Sequence, residues 1–133
     1  MFATNSLAGM SIMTIPDICK TLVVIPVVPL PYPNITYTIL HIPSVFNVMF
    51  GPGLGENLLT PGTISIGDQA GFLGGLISQI FMGPDMYIMG SFQVFVGGIC
   101  GARMTSLVGM NGIPFNTIGM SLLPAQFRVI LLS

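Results

Sequence analysis

The sequence predicts an all-β fold: a small body of short β-hairpins and glycine- and proline-rich loops, with at most one short helix. Three observations predict it. Seventeen glycines and eleven prolines are scattered through 133 residues, which suits short strands joined by tight turns. Several short segments are β-branched or aromatic, or alternate in polarity. The most apolar stretch, residues 21–34, is interrupted by Pro26, Pro29, Pro31 and Pro33, which exclude a helix there.

Taken in order, residues 9–14 are the first strand expectation. Residues 26–33 should run as extended polyproline II. They are expected to form a strap across their own domain, burying Val23, Val24, Ile25, Val27 and Val28. In residues 35–39, Ile35, Tyr37 and Ile39 share one strand face, with Thr36 and Thr38 on the other. Gly51-Pro-Gly-Leu-Gly55 is expected to turn. It lacks the lysine and hydroxyl residue of a phosphate loop. Residues 63–66, 92–96 and 127–132 are further strand expectations. Asp68 could cap a helix over residues 69–80, but Gly71, Gly74 and Gly75 each cost about 1 kcal/mol there. A short helix or a glycine-rich loop is expected. Ile80-Phe-Met-Gly83 and Tyr87-Ile-Met-Gly90 repeat a pattern seven residues apart, on the scale of stacked hairpins.

Charge sets the next constraint. Charged residues are 5% of the chain, with net charge −1, and the mean hydropathy is +0.89. A globule of this mass exposes roughly 6,700 Å². So few charges over that area leave the surface prone to association, so a protein partner or a membrane should cover part of it. Nucleic acid is excluded as a partner, because Lys20, Arg103 and Arg128 cannot make a basic stripe. No breaker-free apolar run reaches the ~20 residues of a spanning helix, and residues 1–20 lack the parts of a secretory signal. A small membrane-embedded protein is the alternative that hydropathy alone suggests. No composition change marks a domain boundary, so residues 1–133 are expected to form one domain.

Catalytic signatures are absent: no Gly-x-Ser-x-Gly elbow and no zinc-protease helix motif occur. The chain is expected not to be an enzyme. Zinc wants about four nitrogen or sulfur ligands, and the candidates are Cys19, His41 and Cys100. Otherwise the cysteines are two buried free thiols and His41 a buried histidine bonded to backbone. A small metalloprotein or hydrolase using Cys19, His41 and Asp68 is the remaining chemical alternative. The Asn34-Ile-Thr36 sequon is read as chance.

A set of blocks, in order, resembles one family. Phe2-Ala-Thr4, Pro16-Asp-Ile-Cys-Lys-Thr21 and Pro29-Leu-Pro-Tyr-Pro-Asn34 come first. Gly67-Asp-Gln-Ala-Gly71, Met82-Gly-Pro84 and Met89-Gly-Ser-Phe92 follow, then Thr105-Ser106, Pro124-Ala-Gln126 and the closing residues 129–133. Together they resemble the PAAR-like proteins that tip the spikes of type VI secretion systems and related contractile injection machines. The resemblance implies a small all-β cone on the blunt end of a trimeric VgrG-type spike, one tip per trimer. It implies membrane puncture and docking of effector cargo. It places the protein in the bacterial cytoplasm before firing and carries it out with the spike, touching the target membrane transiently. Better-known tips resemble a zinc-stapled point with several histidines and a cysteine. Here Cys19 aligns with a cysteine typical of the PAAR-like branch, and His41 and Cys100 are its available partners. With no effector domain expected after the tip, the chain reads as a stand-alone tip or an adaptor.

Overall fold

The computed structural model describes residues 1–24 and 26–131. It is all-β. In chain order the strands are β1 (Met10–Met13), β2 (Asp17–Leu22), β3 (Val27–Tyr32), β4 (Ile35–Tyr37), β5 (Met49–Phe50), β6 (Gly53–Leu54), β7 (Pro61–Gly62), β8 (Asp85–Met89), β9 (Phe95–Val96), β10 (Ile99–Cys100), β11 (Leu107–Met110) and β12 (Thr117–Leu123). A 3-10 turn spans Thr38–Leu40. No helix among the described residues is long and apolar enough to cross a membrane.

Six strands form the main sheet in the order β4-β1-β12-β11-β8-β7. Its two edges approach each other through the isolated bridges His41↔Gly62 and Ile35↔Ile66, so the sheet nearly closes on itself. Three two-stranded hairpins, β2–β3, β5–β6 and β9–β10, complete the body. Gly97 and Gly98 both take positive φ at the β9–β10 turn, the geometry that suits a two-residue hairpin. Gly51 and Pro52 turn β5 into β6, as expected of that segment.

Several local expectations are corrected. Residues 27–32 are not a polyproline strap. They pair in antiparallel register with β2, from Asp17↔Tyr32 to Leu22↔Val27. Pro29 and Pro31 fall where the N–H would point away from β2, so the intervening residues keep the ladder. Val23, Val24 and Val27 are 48%, 89% and 47% exposed rather than buried, and Ile25 lies outside the described residues. Residues 68–81 take the second of the two forms expected, a glycine-rich loop of turns, and Asp68 caps no helix. Of residues 92–96 only Phe95 and Val96 are strand. Residues 63–66 contribute one bridge, at Ile66, and 127–131 one bridge, at Ile130, with Leu132 outside the described residues. Strands β8, β11 and β12, contiguous in the main sheet, were not among the strand segments expected, although the Tyr87-Ile-Met-Gly90 repeat overlaps β8.

The interior is mostly polar. Among the described residues ten hydrophobic side chains are buried against twenty polar or charged ones. One apolar cluster joins Ala3, Val45, Phe50, Val96 and Leu131, and a second joins Tyr87, Ala102, Val108 and Met110. The total surface is 6519 Å², close to the size expected of a globule. All four acidic residues are at most 1% exposed: Asp17, Glu56, Asp68 and Asp85. The seven charges are therefore divided, with the acids inside and Lys20, Arg103 and Arg128 toward solvent.

Candidate functional site

Two buried polar centres hold every acidic residue of the chain. The first is built on β2. Alternation along the strand points Asp17 and Cys19 inward and Ile18 outward. Asp68 comes from the turn-rich loop that follows β7. The Cys19 thiol donates to Asp17 Oδ1 and Asp68 Oδ2, 3.6 Å away in each case. Three amides complete the first centre. Asn34 and Asn111 donate to Asp17 Oδ2, and Asn116 donates to Asp17 Oδ1 and to the Ile18 carbonyl. The Met82 backbone N–H donates to both Asp68 oxygens, at 3.2 and 3.1 Å. The amides are oriented in turn: Asn111 Oδ1 accepts from Gly83 N–H and Asn116 Oδ1 from Ile77 N–H. Gly71 makes room for this packing, since a Cβ there would lie 2.3 Å from the Cys19 Cβ.

Burial pushes the Asp68 carboxyl up, and the nearby Asp17 charge adds to this, while the Met82 N–H works the other way. Burial also pushes the Cys19 thiol far up, reinforced by the two carboxylates that it donates to. Cys19 is therefore a neutral S–H donor at ordinary pH rather than an activated nucleophile.

The second centre surrounds His41. Its Nδ1 lies 3.0 Å from Glu56 Oε1 and its Nε2 lies 3.2 Å from Asp85 Oδ2. Tyr87 donates to Glu56 Oε2 at 2.6 Å, and its ring meets the imidazole edge-on at 5.7 Å. Burial alone would lower the His41 pKa; the flanking Asp85 and Glu56 overcome it and hold the group up at about 10. His41 is thus an imidazolium between two carboxylates: it is buried as expected, but its ring is held by acids rather than by backbone. Tyr87 is pushed well up by burial and by Glu56. Gly62 admits this cluster, because a Cβ there would sit 1.9 Å from Asp85 Oδ1.

The structure separates the three metal candidates. Cys19 is in the first centre and His41 in the second. Cys100 is half-buried on β10, and both cysteines are free. Among the described residues, the one group of His, Cys, Asp or Glu with metal-like spacing is Asp17, Cys19 and Asp68, whose ligand atoms lie within 4.8 Å of one another. Two carboxylates and a thiol suit zinc in chemistry and fall one short in number. Asn34 Oδ1, on the amide whose Nδ2 bonds Asp17, is fully buried with no hydrogen-bond partner. Cys19 and Asp68 of the hydrolase alternative do meet, and His41 lies apart from them in the second centre. The Asn34 sequon is buried at its acceptor residue.

Sequence reading missed Asp17, Glu56, Asp85, Tyr87 and the three asparagines. The signal for Asp17 was its i, i+2 spacing to Cys19 on one strand face. No local signal marked Asn111 or Asn116, which are brought in by the β11–β12 loop.

A family profile described as "Toxin PAAR-like domain" matches residues 10–119. No curated protein and no solved structure matches the chain.

Proposed function

Because this chain belongs to the Tox-PAAR-like family, we propose that it is a non-enzymatic tip that caps the trimeric VgrG-type spike of a contractile injection machine. One domain, residues 1–133, would do this, assembled in the bacterial cytoplasm and carried out on firing, with effector cargo docked on it. The mechanism is mechanical: a stiff cone passes axial force to a membrane. The observation that carries the reading is the inverted polarity of the body. An interior of cross-linked carboxylates, amides and imidazolium is directional and therefore rigid. An apolar exterior is expected if a partner covers part of it.

The base would lie around the first apolar cluster. Phe46, Phe95 and Phe127 are 76%, 61% and 71% exposed, beside Val45, Val96 and the Phe2 ring respectively. Exposed aromatic side chains of this kind are the anchors of protein interfaces. Co-expression with the cognate spike protein, followed by mass determination, tests the reading. One chain per spike trimer supports it; a free chain beside an uncapped trimer overturns it.

A zinc ion held by Asp17, Cys19 and Asp68 would staple β2 to the 68–81 loop, replacing the thiol proton with a thiolate–metal bond. This set takes the place of Cys19, His41 and Cys100. Elemental analysis of the purified chain should find about one zinc per molecule, lost in Cys19→Ala and kept in Cys100→Ser. A metal-free chain that is as stable as the zinc-loaded one would contradict it.

A further inference from the structure

The β2–β3 hairpin ends in a bare apolar turn. From Leu22 to Val28 the sequence has no polar side chain. Val24, 89% exposed, is the most exposed large apolar residue among those described, and it takes a left-handed φ of 60° that a β-branched residue rarely adopts. The outward face of the hairpin carries the pairs Ile18↔Pro31, Lys20↔Pro29 and Leu22↔Val27. Its charge is therefore a single cation, and no acidic side chain is exposed anywhere on the molecule.

We propose that this hairpin docks on an anionic lipid bilayer, with the turn at Val23 and Val24 entering the headgroup–acyl boundary and Lys20 meeting lipid phosphate. Three features favour lipid over protein. A protein interface carries about one hydrogen bond per 100–200 Å², and this turn offers no side chain to make one. Lipid penalises unpaired backbone N–H groups, and Pro29 and Pro31 remove two of the three donors from the open edge of β3, leaving that of Val27. The other edge, on β2, is already paired: Lys20 N–H donates to the Gly74 carbonyl and Leu76 N–H to the Ile18 carbonyl. Charge is complementary as well. The face carries one cation and no exposed acid, which suits anionic headgroups, and a lysine stem can lie along the apolar face while its ammonium reaches outward. In the structure that ammonium touches Gln79 Oε1 at 2.5 Å.

The inference goes beyond the tip reading, since vesicle binding is measured without a spike. The full chain is floated with vesicles of phosphatidylcholine containing phosphatidylglycerol, and with phosphatidylcholine alone. The wild type should float with the anionic vesicles. Val23→Asp/Val24→Asp should weaken this at least about tenfold, and Lys20→Gln about fivefold. The chain has no tryptophan, so Val24→Trp supplies a single reporter whose fluorescence should shift to the blue on anionic vesicles. Spike capture and a thermal melt of each variant show that the fold is kept. A wild type that stays unbound, or a Val24→Trp spectrum that does not move, overturns the proposal. So does a double variant that floats normally but no longer captures the spike, which would make the turn a protein-docking surface.

Discussion

The two buried centres bring carboxylates inside by different means. Around His41, two carboxylates share one imidazolium, and Tyr87 adds a hydrogen bond. Around Cys19, two carboxylates share no cation; amides, a backbone N–H and a thiol supply the donors. Burying an ion is costly unless it is paired and hydrogen-bonded. The His41 centre pairs its carboxylates with a charge inside the chain, although Asp85 has that ion pair and no hydrogen bond. The Cys19 centre meets that cost with dipoles, and would gain most from a bound cation or a bound proton. The contrast separates a structural lock from a site with room for a ligand.

The largest test of this contrast removes the cation. His41→Ala leaves Glu56 and Asp85 buried without a partner charge, and urea melts should show a loss of about 3–5 kcal/mol. The matching change in the other centre, Asp68→Asn, removes a charge that burial already disfavours. In metal-free protein its cost should stay within about 1 kcal/mol, and with zinc present it should abolish the metal's contribution to the melt. Equal losses in both variants would erase the distinction.

Next comes Gly71→Ala, which presses a methyl group against Cys19. The cost should be about 1–3 kcal/mol, and zinc retention should fall with it.

The pH dependence sharpens the comparison. His41 has a folded pKa of about 10 against 6.5 in the unfolded chain. Its contribution is fully present below pH 6.5 and is lost progressively as pH rises through about 10. Asp68, also raised, holds its proton more tightly when folded, so its contribution in metal-free protein is greatest below its unfolded value of 3.8 and is lost as pH rises through its folded value. Thermal melts from pH 6 to 10 should therefore fall in the wild type and be flatter in His41→Gln. The smallest effect is expected from Cys100→Ser, outside both centres, at less than about 0.5 kcal/mol.

Much of the architecture was legible in the sequence. Glycine and proline spacing marked the hairpin body, residues 9–14 contain β1, and of the turn expected over 51–55 Gly51 and Pro52 form it while Gly53–Leu54 are strand β6. The sign of burial was not legible. Ile35, Tyr37 and Ile39 were grouped as one face, but Thr36 and Thr38 are the buried pair, and Tyr37 and Ile39 are 39% and 67% exposed. Alternation gives a strand's two faces without saying which faces inward, and the usual rule fails where the interior is mostly polar. The same inversion hid the site. His41, Glu56 and Asp85 lie on three segments that only the closing of the main sheet brings together, and Asn116 reaches Asp17 from 99 residues away.

The most direct test of the account is the mass of the trimeric spike after mixing with three forms of the chain. The wild type and Val24→Asp should each add one chain per trimer, and Phe95→Asp/Phe127→Asp should add none. Capture by the phenylalanine variant, or a wild type that leaves the trimer bare, would contradict the claim that this protein caps the spike through its aromatic base.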